Sequence, residues 1–137
     1  MGRSDITVEL RDAFVSDDEL QVYFNACDVV ALPFRHVLNS GSLLLAMSFG
    51  CPVVAPRLGS IPEVACAEGW YGYDPSDPGG LARALTEGLA ATGRSGLRER
   101  ILDFTAARYD WAAAGQKAVA LYPSILDCVP DTASADE

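Results

Sequence analysis

Two short apolar runs, each ended by a proline, constrain this chain most: "DVVALP" at 28–33 and "CPVVAP" at 51–56. A strand with one wet face alternates apolar and polar residues, whereas one covered on both faces is apolar throughout. Both runs are β-branched and lack alternation, so both read as buried strands of a parallel sheet. Between them lies "NSGSLLLAMSFG", 39–50, where a small polar run opens into a wholly apolar segment. It predicts a helix over Ser42–Phe49, stopped by Gly50.

The remaining segments continue the alternation. "DITVEL", 5–10, predicts a strand with Ile6, Val8 and Leu10 on one face. Ser16 and Glu19 fit a capping box, with Asp17 and Asp18 where a helix start favours negative charge. Leu20, Tyr23 and Phe24 then mark a helical face. A short helical piece is expected near Pro62–Val64 and a strand over Trp70–Tyr73. Leu81, Leu85 and Leu89 mark the apolar stripe of one helix, and Leu97, Ile101 and Phe104 that of the next. Asp110 caps a last helix containing Ala114, Ala118 and Leu121, with Trp111 as a core anchor. Four strands alternating with helices predict an α/β layer fold with a parallel sheet. Residues 1–128 are expected to form one domain, and 129–137 a disordered acidic tail.

Composition narrows the function. The chain has 137 residues, half of them apolar, which suits one domain with its own core. Its formal net charge is −9, so it lacks the basic footprint that nucleic-acid binding requires. No apolar run reaches the roughly 20 residues of a membrane span, and the N-terminus has no signal-peptide core. Cys27, Cys51, Cys66 and Cys128 form no Cys-x-x-Cys pair, and the single histidine, His36, is distant in sequence. No metal site is expected. Reduced thiols and a cytoplasmic location are.

In parallel α/β sheets, ligands bind outside the carboxyl ends of the strands. The loop after Leu32, "PFRHVLNSGS", and the loop after Ala55, "PRLGSIPE", each bring an arginine there, Arg35 and Arg57. Each is either a ligand-facing cation or a solvated loop charge. Ser40, Gly41 and Ser42 open the helix, where backbone amides lack intrahelical partners and the dipole adds positive charge. Small side chains leave room for a phosphate to reach those amides. A plain N-cap fits the same spacing. The Walker pattern and the dinucleotide fingerprint are both absent. His36 beside Arg35 is either a phosphate donor or an ordinary loop imidazole. Asn39 and Glu63 complete the polar residues of these loops.

Several linked phrases bear a family likeness. "VSDDELQVYFNACDVVALPF", "LLLAMSFGCPVVAPRLGSIPEV", "GWYGYDPSDPGGLARAL" and "YDWAAAGQKAVALY" follow one another from about residue 13 to residue 122. Together they resemble the C-terminal half of GT-B glycosyltransferases of the family-4, or glycosyl transferases group 1, type. The resemblance implies a truncated, Rossmann-like donor domain holding a nucleotide-diphosphate sugar as substrate, with no cofactor and no metal. It places Ser40, Gly41 and Ser42 against the donor diphosphate, with Arg35 and Arg57 as charge partners. His36, Asn39 and Glu63 become sugar or loop contacts.

Two departures accompany the likeness. Retaining members of the family carry two glutamates separated by seven residues; Val37 and Leu45 stand at those positions. Two further strand–helix units and an N-terminal acceptor domain would normally precede this segment. The expectation is therefore a donor-binding piece, inactive alone, with an exposed sheet edge open to homo-oligomerisation. The alternative is a non-catalytic α/β interaction module that kept the fold and lost the chemistry. A response-regulator receiver fits less well, because no acidic cluster ends the first strand.

Overall fold

The structure, a computed structural model, describes residues 7–126. Its elements in chain order are α1 (Asp17–Ala26), β1 (Val30–Ala31), α2 (Gly41–Ser48), β2 (Val53–Pro56), α3 (Ile61–Val64), β3 (Trp70–Tyr73), α4 (Gly80–Ala91), α5 (Leu97–Tyr109) and α6 (Trp111–Leu126). The strands form one parallel sheet in the order β1-β2-β3. Val53 faces Val30 on one side and Trp70 on the other.

β2 is the centre, and all four of its residues are buried. Val53 and Ala55 meet Leu43, Ala46 and Met47 of α2, Ile61 of α3, and Leu97 and Ile101 of α5. Val54 packs with Tyr73 and Ala84 on the other face. Helices thus cover both faces, as an apolar strand without alternation requires. Prolines keep the strands short. Pro33 follows β1 and Pro56 ends β2, where a missing N–H costs the ladder least.

α2 ends as its sequence demands. Gly50 takes φ +71°, and the amides of Gly50 and Cys51 return to the carbonyls of Met47 and Ala46. An added Cβ at Gly50 would lie 2.6 Å from Arg98 Cγ, so α5 also needs a glycine there. Thr105 Oγ1 donates to Ile101 O and reaches Met47 O of α2 at 3.4 Å. Asp110 caps α6 as expected, its carboxylate accepting from the amides of Ala112 and Ala113.

Five expectations need correction. β1 is not a buried strand: it is two residues long at the sheet edge, with Val30 half-buried and Ala31 exposed. Thr7–Leu10 form no strand: no neighbouring strand pairs with them, and Val8 and Leu10 are 83% and 87% exposed. Asp5 and Ile6 lie outside the described residues, as does the expected acidic tail. Ser16 is the N-cap of α1, but its hydroxyl donates to the Glu19 carboxylate instead of completing the backbone box. The leucine stripe of α4 is only partly inward: Leu81 and Leu85 are half-buried against Val54, Tyr73 and Ala84. Gly80, Ala84, Gly88 and Ala91 form the helix's buried face, and Leu89 is exposed. The cause is close approach: a Cβ at Gly88 would already touch Val54 and Tyr71 at 3.3 Å. Trp111 is no core anchor. It is 89% exposed, because the extended residue Asp110 breaks the helix and turns α6 away from the core.

Replacing Ile101 with alanine should cost about 2–5 kcal/mol in urea denaturation, the usual range for a fully buried aliphatic side chain. A loss under about 0.5 kcal/mol, the surface range, would show that α5 does not close the core. The Cys51 thiol, pushed up to about 12 first by burial and then by its neighbour Cys27, gives a pH test. A raised folded-state value means that stability from the neutral thiol is complete below the ordinary value of 9.0 and is lost as pH rises towards 12. The urea midpoint should fall across that window, and Cys51→Ala should fall less.

Candidate functional site

Because all three strands run parallel, their carboxyl ends share one edge of the sheet. Three loops leave that edge, at residues 32–40, 57–60 and 74–79, and backbone hydrogen bonds stitch them together. The amide and the hydroxyl of Ser60 both donate to Leu38 O, at 2.8 and 2.9 Å. Gly59 takes φ +54°, and a Cβ there would lie 2.3 Å from Val37 O and 2.5 Å from Leu38 O. Only glycine fits so close an approach in that backbone conformation. The Arg57 amide donates to Tyr73 O at 2.8 Å, which ties the second loop to the end of β3, where the third begins.

α2 begins from this stitched rim. Ser40 is its N-cap, buried and extended, and its Oγ accepts the Leu43 amide at 3.1 Å. Gly41 and Ser42 form the first turn and are exposed. Among the described residues their amides meet no acceptor, and nothing lies within 4 Å of where a Gly41 Cβ would stand. The two roles open in the sequence are thus divided. Ser40 caps, and Gly41 and Ser42 present bare amides at the positive end of the helix dipole.

The other expected residues lie on the same loops. Arg57 is exposed, with its guanidinium carbon 5.0 Å from the centre of the Trp70 ring. Trp70 is half-buried, and its indole N–H donates to Ala55 O. Arg35, His36 and Asn39 are exposed, and Arg35 makes no ion pair among the described residues. Glu63 is exposed on α3. Its amide donates to Ser60 O and its carbonyl accepts from Arg108, so its backbone anchors the loop. Val37 packs against the core, and Leu45 is an outward residue of α2, 37% exposed. In the third loop the hydroxyl and amide of Ser76 hold the Asp74 carboxyl below its ordinary range.

Sequence reasoning missed Gly59, Ser60 and Trp70 as parts of this rim. The glycine after a strand exit was the available signal, since such a residue marks a turn or a close backbone approach. Nothing in sequence spacing announces that Ser60 reaches a carbonyl in another loop.

A parallel three-stranded sheet with helices on both faces defines the class: an α/β fold of the GT-B type. The family model for glycosyl transferases group 1 matches residues 5–91. The chain belongs to that family. It is 34% identical over 121 residues to D-inositol 3-phosphate glycosyltransferase of Corynebacterium urealyticum, a match covering 87% of this chain and 28% of the relative. It is also 34% identical over 107 residues to GDP-mannose:glycolipid 4-beta-D-mannosyltransferase of Xanthomonas campestris pv. campestris, covering 76% of this chain and 29% of the relative. Sucrose-phosphate synthase from Thermosynechococcus elongatus superimposes with a TM-score of 0.71 at 25% identity, over 84% of this chain and 29% of that one. The chain therefore spans less than a third of the length of these relatives. Among the described residues no helix is long and apolar enough to cross a membrane.

Ser40→Ala should cost about 1 kcal/mol of stability, the usual worth of a polar N-cap, measured by denaturant titration. An unchanged midpoint would mean that the hydroxyl does not cap α2.

Proposed function

We propose that this chain is the donor-binding part of a glycosyltransferase, which moves a sugar from a nucleotide diphosphate to an acceptor. The observation that carries the reading is the pair of unpartnered amides at Gly41 and Ser42, on a rim that also presents Arg35 and Arg57. In such a transfer the bond between the sugar's anomeric carbon and the diphosphate oxygen breaks, and a bond from that carbon to the acceptor oxygen forms. Negative charge grows on the departing diphosphate. Fixed amides and guanidinium groups stabilise that charge without having to reorganise. The hydroxyl of Ser42 adds a donor beside them, while His36 and Asn39 stand where they can meet the diphosphate or the sugar.

One relative is named for GDP-mannose as donor, which supports the nucleotide-sugar class. The acceptor would require a second wall facing the rim, since catalysis depends on positioning both substrates. On this reading the chain binds donor but does not transfer sugar by itself.

A second reading has its own support. Val37 and Leu45 put apolar groups where carboxylates would grip ribose and sugar, and Val37 is drawn into the core. That favours a non-catalytic module of the same fold. Thermal shift with UDP, GDP and their sugars separates the two. A nucleotide present at a hundred times its dissociation constant should stabilise the chain by about 2.7 kcal/mol. Gly41→Val places its bulk in open space, so the unliganded variant should keep its stability within about 0.5 kcal/mol and lose the nucleotide response. Absence of any response in the unaltered chain supports the module.

A further inference from the structure

The amino-terminal edge of the sheet, opposite the donor rim, holds a second constellation. Cys27 is the C-cap of α1, and Cys51 leads from Gly50 into β2. Their sulfurs are 3.8 Å apart. Both thiols turn towards one carbonyl, Phe24 O, Cys51 at 3.0 Å and Cys27 at 3.5 Å. The neighbouring rings of Phe24 and Phe49 stack with centroids 5.1 Å apart and planes 7° from parallel, which fixes the two segments against each other. Backbone hydrogen bonds to Tyr23 O and Ala46 O anchor the two cysteine amides. A cavity of about 190 Å³, lined by both cysteines with Arg94 and Arg98, opens beside them. Their exposures differ: Cys51 is 1% exposed and Cys27 is half-buried.

We propose that Cys27 and Cys51 form a reversible intramolecular disulfide, a modification site whose oxidant is a hydroperoxide. Both thiols are free in the structure, and this inference does not depend on the donor reading. Cys27, the accessible member, attacks as thiolate on one peroxide oxygen. The O–O bond breaks, hydroxide leaves and takes up a proton, and Cys27 becomes a sulfenic acid. Cys51 then attacks the Cys27 sulfur. The S–O bond breaks, and the departing oxygen takes the Cys51 proton and leaves as water. In sum, two thiols and one peroxide give one disulfide and two waters when the oxidant is hydrogen peroxide. Burial keeps Cys51 protonated until that second step, so the half-buried thiol reacts first.

The contact distance is the decisive feature. Sulfurs 3.8 Å apart are near van der Waals contact and have less than 2 Å to close to the bonding distance of roughly 2.05 Å. The bond would close the chain from 27 to 51, the segment that carries β1, the Arg35 loop and the first turn of α2. Such a closure restricts the unfolded chain and raises stability.

The test treats the full chain with stoichiometric hydrogen peroxide, alkylates the remaining thiols and maps peptides without reduction. The expected product is about 2 Da lighter, for two hydrogens lost. It carries one cross-linked peptide joining Cys27 to Cys51, melts higher, and reverts with dithiothreitol. In Cys51→Ser, dimedone should trap the Cys27 sulfenic acid. Full alkylation of both cysteines after peroxide, or cross-links that run to Cys66 or Cys128 instead, would overturn the proposal. Because the mapping is done on the unaltered chain, it decides even if the variant fails to fold.

Discussion

Burial of β2 is the constraint on which everything else depends. Four residues, Val53–Pro56, have no exposed face, and their backbone pairs with β1 on one side and β3 on the other. A strand in that position needs helices on both faces, so α2 and α5 close one and α4 the other. It also fixes where chemistry can occur. Parallel strands send all their exit loops to a single edge, so Arg35, the start of α2 and Arg57 meet there. The same geometry gathers Cys27 and Cys51 at the opposite edge. One buried strand therefore separates two chemically distinct ends of the molecule.

The rim at the carboxyl edge divides its labour within a single turn of chain. Ser40 spends its hydroxyl on the Leu43 amide and so holds the helix start in place. Gly41 and Ser42 are thereby left with amides fixed in direction and open to solvent. Rigidity comes from the neighbouring loop, where Ser60 holds Leu38 O with two donors and Gly59 admits the approach. Trp70 lies beneath the Arg57 guanidinium and limits where that charge can go. A preorganised site differs from a merely charged surface in this respect: its donors are aimed before the ligand arrives.

How much of this was legible in the sequence follows from the range of the signal. β2, β3, α2 and α5 were readable, because apolar runs, prolines and Gly50 are local signals. Asp110 as a cap was equally local. The capping box at Ser16 and Glu19 failed locally, because the hydroxyl donates to the carboxylate; the other failures turn on tertiary packing. Alternation at Thr7–Leu10 promised a strand, yet no neighbour pairs with those residues. The leucines of α4 promised a core face; Leu81 and Leu85 are half-buried against it, but the fully buried positions are Gly80, Ala84 and Gly88, and Leu89 is exposed. Trp111 was read from size alone and stands in solvent. At the carboxyl edge, the start of α2 and both arginines could be located from residue type and strand position. The link from Ser60 to Leu38 could not, because a serine's reach to a carbonyl 22 positions away exists only once the sheet has brought the loops together. The family likeness rested on the order of several phrases, and it holds across residues 5–91.

The central claim is that the carboxyl edge of the sheet offers two aimed backbone amides to a diphosphate. Amide-resolved NMR titration with a nucleoside diphosphate, observing every N–H at once, examines it most directly. The account expects the Gly41 and Ser42 amides to move first and furthest, with smaller responses at Arg35, Arg57 and Ser60. Perturbations centred on the opposite edge, around Arg94 and Arg98, or saturating ligand with Gly41 and Ser42 unmoved, would contradict it.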